Sequence, residues 1–170
     1  HGLDEDQENL KEITECKKNY LLYVGHREGY KNFKILIPAL KKIKKKYPLK
    51  LFVVGPPPTN SEIQLIKKNK LNEFIKFKGP EPDESLSKLY TDCTAFLYPS
   101  LYEGFGYPVI ESMSKGAIPI ASKTSCLPEV IGGAGILVKP NCFESIAQAV
   151  STVIEDEKLR RELKKKFSDI

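Results

Sequence analysis

Short apolar runs of four or five residues alternate along the chain with longer stretches in which apolar positions recur every three or four residues. A short run flanked by glycine, proline or polar residues reads as a strand, and a 3.6-residue period reads as a helix with one apolar face. The predicted strands are Tyr20 to Val24, Leu51 to Val54, Phe74 to Phe77, Ala95 to Tyr98, Ile118 to Ala121 and Gly135 to Val138. All but the last are almost continuously apolar, as expected where helices cover both faces of a parallel sheet. Between them, Phe33, Ile35, Leu36, Ala39, Leu40 and Ile43 share a helical face, and Ile63, Leu65, Ile66 and Leu71 do so more weakly. Leu86, Leu89 and Tyr90 mark a third helix, with Asp83 as its predicted N-cap. Two more helices are predicted in the tail, from Phe143 to about Ile154 and from Glu155 to about Phe167. The pattern is that of an α/β fold, an open parallel sheet of about six strands with helices on both faces.

The 170 residues fit one domain, large enough to bury roughly two-thirds of the surface its unfolded chain exposes. No apolar run reaches the ~18 to 20 residues of a membrane span. His1-Gly2-Leu3-Asp4-Glu5-Asp6 lacks the basic start and apolar core of a signal peptide. The ends read as cut, so a larger parent protein is expected. Cys16, Cys93, Cys126 and Cys142 are far apart and His1 and His26 are the only histidines, so no metal is expected. The unpaired cysteines suggest a reducing cytoplasm. The net charge of +5 owes much to Lys41, Lys42, Lys44, Lys45 and Lys46, where a helix is predicted to end. Cations suit that end of the helix dipole. Without aromatic or arginine interleaving they point away from nucleic acid and toward a solvated helix end, or peripheral contact with the cytoplasmic face of a membrane.

Chemistry concentrates after the fourth predicted strand, in Pro99-Ser100-Leu101-Tyr102-Glu103-Gly104-Phe105-Gly106-Tyr107-Pro108-Val109-Ile110-Glu111. A strand feeds a glycine-containing loop, and a helix is predicted from about Tyr107, with Pro108 in a first turn that loses nothing by a missing N–H. The backbone N–H groups of Gly104, Phe105 and Gly106 would converge on an anion favoured by the helix dipole. Seven residues separate Glu103 from Glu111, placing the first carboxylate in the loop and the second about one turn inside the helix. Carboxylates accept paired hydroxyl hydrogen bonds, a chemistry suited to a sugar or a ribose. Taken singly, each glutamate is equally a solvated surface residue. Gly25, Gly55 and Gly79 follow strands, at the edge where open parallel sheets bind ligands, although a turn alone explains a glycine there.

The run from Ser100 to Glu111 resembles the E-x7-E signature of the retaining glycosyltransferases of family four, whose GT-B architecture sets two Rossmann-like domains face to face. Tyr23-Val24-Gly25-His26-Arg27-Glu28-Gly29-Tyr30-Lys31-Asn32-Phe33 resembles that family's first strand and basic loop. Ser125-Cys126-Leu127-Pro128-Glu129-Val130 and Gly135-Ile136-Leu137-Val138 resemble the region after the signature helix. His1-Gly2-Leu3-Asp4 is similar to the segment joining the two domains. The resemblance implies a single nucleotide-sugar-binding domain, with an inter-domain segment and lead-in helix over 1–19 and a core over 20–170. The N-terminal acceptor domain would be its partner in the parent protein.

The same resemblance implies that Arg27 and Lys31 neutralise the departing diphosphate. The family's arginine often follows the glycine directly, where this chain has His26, which is the fallback. Glu103 would contact the donor sugar, Glu111 the ribose, Gly25 and Gly104 to Gly106 the sugar or diphosphate, and Lys78-Gly79 the base. Glu129 would fix a neighbouring loop. The implied reaction is metal-independent transfer of a hexose to an acceptor hydroxyl with retained configuration, needing no cofactor beyond the nucleotide sugar. Gly29-Tyr30-Lys31-Asn32-Phe33 is similar to the mannosyltransferase subtype, which suggests GDP-mannose, with UDP-hexoses next. The domain alone is expected to transfer little. A nucleotide-sugar epimerase or phosphorylase of related fold is the alternative within enzymes, and a nucleotide-binding module without turnover the alternative outside them.

Overall fold

The structure, a computed structural model, describes residues 19–168. The inter-domain segment and lead-in helix expected over 1–19 therefore lie, but for Asn19, outside the described residues. Six strands form one sheet: β1 (Tyr20–Val24), β2 (Lys50–Val54), β3 (Ile75–Lys78), β4 (Ala95–Tyr98), β5 (Pro119–Ser122) and β6 (Ile136–Val138). Their order is β3-β2-β1-β4-β5-β6, and every pair is parallel. Tyr20 sits beside Lys50, Leu21 beside Ala95, and Ile120 beside Ile136. The helices are α1 (Leu36–Lys44), α2 (Asn60–Lys68), α3 (Asp83–Asp92), α4 (Tyr107–Ser114), α5 (Leu127–Ile131), α6 (Phe143–Glu155) and α7 (Glu157–Ser168).

Alternation along the strands builds two cores. Leu21, Tyr23, Leu51, Val53 and Leu97 point to one face, where Leu36, Leu40 and Ile43 of α1 and Ile146, Val150 and Val153 of α6 cover them. Tyr20, Leu22, Phe96 and Tyr98 point to the other, under Tyr90 of α3, Val109 and Met113 of α4, and Leu127 and Ile131 of α5. A strand buried on both faces has no polar side to show, which is why β1 and β4 read as solid apolar runs, whereas the edge strand β3 alternates Ile75 and Phe77 with Lys76 and Lys78.

Local chemistry moves several boundaries. Phe33–Ile35 is a 3-10 turn ahead of α1, and a preceding 3-10 turn over Gly29–Lys31 ends at Asn32 in the left-handed region, φ 57°. Pro38 falls in the first turn of α1, where its missing N–H is tolerated. The second helix starts before its apolar stripe, because Thr59 and Glu62 form a capping box, each side chain accepting the other's backbone N–H. Asp83 is not the N-cap of α3: Pro82 holds that position, and Asp83 sits in the first turn, where its charge still meets the positive end of the helix. The tail divides at Asp156, whose carboxylate accepts the N–H of Leu159 at 2.9 Å and restarts a helix as α7. Cys93 is buried, with its thiol pushed up to about 12 by that burial, whereas Cys126 is only half-buried.

Candidate functional site

The strand order reverses direction between β1 and β4, and ligands of open parallel sheets bind beyond the carboxyl ends of the strands at such a switch point. The backbone on the β2 side is tightly stitched. Gly25 N–H donates to Val54 O at 2.8 Å, and Gly55 N–H to Lys78 O at 3.4 Å. At Gly55 a side chain is excluded, since an added Cβ would lie 2.6 Å from Gly25 O. Close approach of two loops thus accounts for Gly55, while Gly25 is required by its φ of 120° alone, open space lying where its Cβ would be.

On the β4 side, Lys31 and Glu103 meet. Lys31 Nζ donates to Glu103 Oε1 at 2.8 Å, the side chains being 21% and 11% exposed. The ammonium also lies 5.4 Å from the Tyr30 ring centroid and 5.6 Å from that of Tyr98. Burial pushes the Glu103 carboxyl up, but the bond from Lys31 and the facing hydroxyls of Tyr98 and Ser100 prevail and hold it below the ordinary carboxylate range. The Tyr98 hydroxyl is buried and lies close to Glu103 and Ser100 without a hydrogen bond of acceptable geometry to either, so proximity rather than a formed bond describes it.

Loops around Glu103 are fixed from both sides. Leu101 N–H donates to Tyr30 O at 2.8 Å, Thr124 Oγ1 to Leu101 O at 3.2 Å, and Cys126 Sγ to Glu103 O at 3.3 Å. Gly106 then opens α4 from the left-handed region, φ 71°, with Leu127 and Val130 packed 3.3 to 3.5 Å from where a Cβ would be. Its carbonyl takes the N–H groups of Val109 and Ile110. Among the described residues, no protein acceptor meets the N–H groups of Gly104, Phe105 and Gly106. Glu111 lies in the second turn of α4, exposed, and its carboxylate has no ion pair or hydrogen bond among the described residues. Tyr30, Tyr102, Phe105 and Tyr107 surround this region, each more than half exposed. The pairs Tyr30–Tyr102 and Phe105–Tyr107 are in contact.

Arg27 leaves the same loop as Lys31 but turns to the β2 side. Its Nε donates to Glu62 Oε2 at 2.7 Å and its Nη2 to Glu62 Oε1 at 3.0 Å, a bidentate pair. Nη1 donates to Pro56 O at 2.8 Å, and Nη2 also to Pro57 O at 3.1 Å. The guanidinium carbon lies 5.0 Å from the Phe77 ring centroid and 5.8 Å from that of Phe33. Only 6% of the side chain is exposed. The bond from Arg27 is the chief reason the Glu62 carboxyl is held below the ordinary range. The hydroxyl of Tyr23 donates to the carbonyl of His26, fixing the loop that carries Arg27, and the His26 side chain itself is exposed.

Of the sequence-predicted site residues, the structure therefore joins Lys31 to Glu103 and sets Gly104, Phe105 and Gly106 beside them. Arg27 faces Glu62 instead. Lys78 lies over the Phe52 ring at 4.9 Å, and Gly79 beside it is exposed with open space around it. Glu129 is exposed on α5. Among the described residues, no three His, Cys, Asp or Glu side chains converge as a metal site would need, and no helix is long and apolar enough to cross a membrane. Glu62, Tyr98 and Ser100 carry no sequence-based assignment. Thr59-x-x-Glu62 is a readable capping pattern, and Ser100 is a buried polar residue two places after a fully buried strand, but neither spacing reveals a partner across the sheet.

Residues 5–168 match the family described as Glycosyl transferases group 1. The chain is 34% identical over 147 residues to O-antigen chain mannosyltransferase B of Escherichia coli, covering 84% of this chain and 39% of that protein. It is 31% identical over 163 residues to the serotype-specific mannosyltransferase WbdA of Escherichia coli, covering 92% of this chain and 20% of that protein. It thus spans well under half the length of these curated relatives. Among solved structures, the C-terminal domain of a glycosyl transferase group 1 family protein (LpcC) from Francisella tularensis superposes with a TM-score of 0.75 at 27% identity, over 89% of this chain and 84% of that one. With a six-stranded parallel sheet of Rossmann-like order and a family match over nearly its whole length, the chain belongs to the group 1 glycosyltransferases.

Proposed function

We propose that this chain is the donor-binding half of a retaining glycosyltransferase that passes a hexose from a nucleoside diphosphate to an acceptor hydroxyl. One observation carries the reading: a lysine–carboxylate pair and three unpartnered backbone N–H groups lie together at the switch point of the sheet. The N–H groups and the Lys31 ammonium suit the oxygens of a diphosphate, whose charge grows as it leaves. Glu103, kept ionised, accepts hydroxyl hydrogens of the sugar. Glu111 is exposed at the same helix start and takes the ribose hydroxyls. The nucleoside then extends across the ends of β1 and β2, with its base against Lys78 and Gly79. In the reaction the bond from the anomeric carbon to the phosphate oxygen breaks, a bond to the acceptor oxygen forms on the same face, and the acceptor's proton leaves with the phosphate. The mannosyltransferase relatives favour GDP-mannose as donor, with UDP-hexoses next. The acceptor and the rest of the machinery belong to a facing domain of the parent protein.

A thermal-shift panel of UDP, GDP, ADP and their sugar conjugates tests this directly, because a ligand bound only by the folded state raises its melting temperature. A rise with one diphosphate and its sugar conjugate is expected. No rise with any of them refutes the reading. Transfer by the chain alone is expected to be negligible. In the parent protein it should survive EDTA and give product of unchanged anomeric configuration.

A further inference from the structure

We infer that Arg27 is a positioning residue for the nucleoside, not a ligand of the diphosphate. The inference rests on the proposed donor site, since it concerns which part of the donor Arg27 serves. Four of the five N–H donors of the guanidinium are already used, on both oxygens of Glu62 and on the carbonyls of Pro56 and Pro57. The group lies over Phe77, which precedes Lys78 and Gly79 on β3. One side chain therefore ties together three neighbouring carboxyl-edge segments: the loop after β1 that bears it, the loop after β2 through Pro56 and Pro57, and the end of β3 through Phe77. Glu62 extends the tie into α2, because its Oε1 also accepts the N–H of Thr59 at 3.0 Å. To reach a phosphate, the fork, itself only 6% exposed, would have to give up a bidentate carboxylate and two carbonyls at once. Left in place, it holds the wall against which the base would lie, and a wall already ordered spares a ligand the entropy of ordering it.

The two roles make opposite predictions for Glu62. If Arg27 serves the diphosphate, Glu62 competes with it, and Glu62→Gln frees the fork and tightens nucleoside diphosphate binding. If Arg27 positions the wall, Glu62→Gln weakens binding as Arg27→Met does. The decisive comparison is calorimetric titration of the nucleoside monophosphate and the nucleoside diphosphate that the thermal panel selects. It uses wild type, Arg27→Met, Glu62→Gln and the double variant Arg27→Met/Glu62→Leu, which removes both charges together and keeps an apolar fold where a single variant does not. The positioning role predicts that both nucleotides weaken by the same factor, about tenfold, in every variant that folds. Loss confined to the diphosphate, or a gain with Glu62→Gln, overturns it. A second measurement does not depend on ligand: amide exchange over Thr59–Ile63 should quicken in Arg27→Met, which leaves the Thr59–Glu62 capping box in place, and unchanged protection there overturns the inference. Failure of wild type to bind any nucleotide refutes the donor site itself, while the exchange measurement still decides whether Arg27 holds these loops.

Discussion

Arg27 and Lys31 stand four positions apart in one loop, and each meets a glutamate from a distant segment, yet the two pairs are built for different ends. Arg27 presents a planar fork to a two-oxygen acceptor, adds two carbonyls and two rings, and is nearly sealed from water. Among the described residues, Lys31 makes a single hydrogen bond through a compact charge on a flexible stem, is about a fifth exposed, and sits beside a tyrosine hydroxyl and amides that have no partner there. A site that must accept a ligand cannot have all its bonds already made. On the proposed reading, saturation suits Arg27–Glu62 to a scaffold and incompleteness suits Lys31–Glu103 to a ligand.

The comparison is broken most sharply by stability. Removing one partner of the sealed pair strands the other, so Arg27→Ala should cost about 3–5 kcal/mol. Lys31→Ala should cost less, about 1.5–3 kcal/mol, because a single charge-assisted bond is lost and Glu103, though only 11% exposed, still faces the hydroxyls of Tyr98 and Ser100. Urea unfolding of the three proteins measures both. Equal losses, or a larger loss at Lys31, would mean that saturation does not separate scaffold from site.

Binding should show the reverse ranking of chemistry. Lys31→Ala deletes a charge-assisted bond worth about 1.5–3 kcal/mol, so affinity for the nucleoside diphosphate should fall roughly 10- to 100-fold. Glu111→Ala should weaken binding of the same ligand and of the nucleoside monophosphate alike. Glu103→Ala should free Lys31, so diphosphate affinity should hold or rise, while the preference for one sugar conjugate over another is lost. Titration calorimetry with and without the sugar separates these outcomes, and a Glu103 variant that loses the free diphosphate would move that residue from the sugar to the phosphates.

Most of the sheet was legible because its central strands are buried on both faces and read as apolar runs, while the edge strands β3, with Lys76 and Lys78 alternating with Ile75 and Phe77, and β6 are only half-buried; all six strands still fall within one residue of expectation. The placement of Glu103 and Gly104 to Gly106 in a loop between a strand and a proline-started helix was legible in the sequence, and Lys31, singled out only by the family resemblance, meets Glu103 across that loop. The partner of Arg27 was not legible. Arg27 and Glu62 are 35 residues apart, and whether an arginine turns to a phosphate or to a carboxylate depends on how close β1 and β2 bring their loops. That closeness is set by Gly55 against Gly25, a backbone contact that no side-chain pattern records. Asp83 fails as a cap for a similar reason of backbone geometry, Pro82 already holding the extended conformation that precedes the helix.

Acid should distinguish the pairs more gently. Both carboxyls are held below the ordinary value of 4.5 in the folded chain. As pH falls, the unfolded chain therefore takes up protons first, so the stabilisation is complete above that value and is lost as pH drops through the folded values. Burial opposes the shift at both, but for Glu62 the bond from Arg27 is the leading influence, whereas for Glu103 burial itself leads and is outweighed only by the bond from Lys31 together with the facing hydroxyls. The pH dependence of the urea midpoint between about 3 and 6 should consequently flatten more in Glu62→Gln than in Glu103→Gln. The opposite order would place the stronger charge coupling at Lys31.

The smallest effect is the most specific to the idea of an incomplete site. Tyr98 is buried in the second core, against Phe96, yet its hydroxyl completes no hydrogen bond although Glu103 and Ser100 lie close by. A hydroxyl buried with a good partner costs about 1–3 kcal/mol of stability when the partner is left behind unmatched, but one buried without a partner costs little or nothing to remove. Tyr98→Phe should therefore change the unfolding free energy by less than about 0.5 kcal/mol, or raise it slightly, while keeping the ring over which Lys31 sits. If the unmade bond is reserved for the moment when Lys31 leaves Glu103 for a phosphate, the same variant should weaken the sugar conjugate more than the bare diphosphate, because Glu103 would then face the Ser100 hydroxyl alone. A stability loss above ~1 kcal/mol would show that the hydroxyl is bonded in the free protein and that this side of the site is as saturated as the Arg27 side.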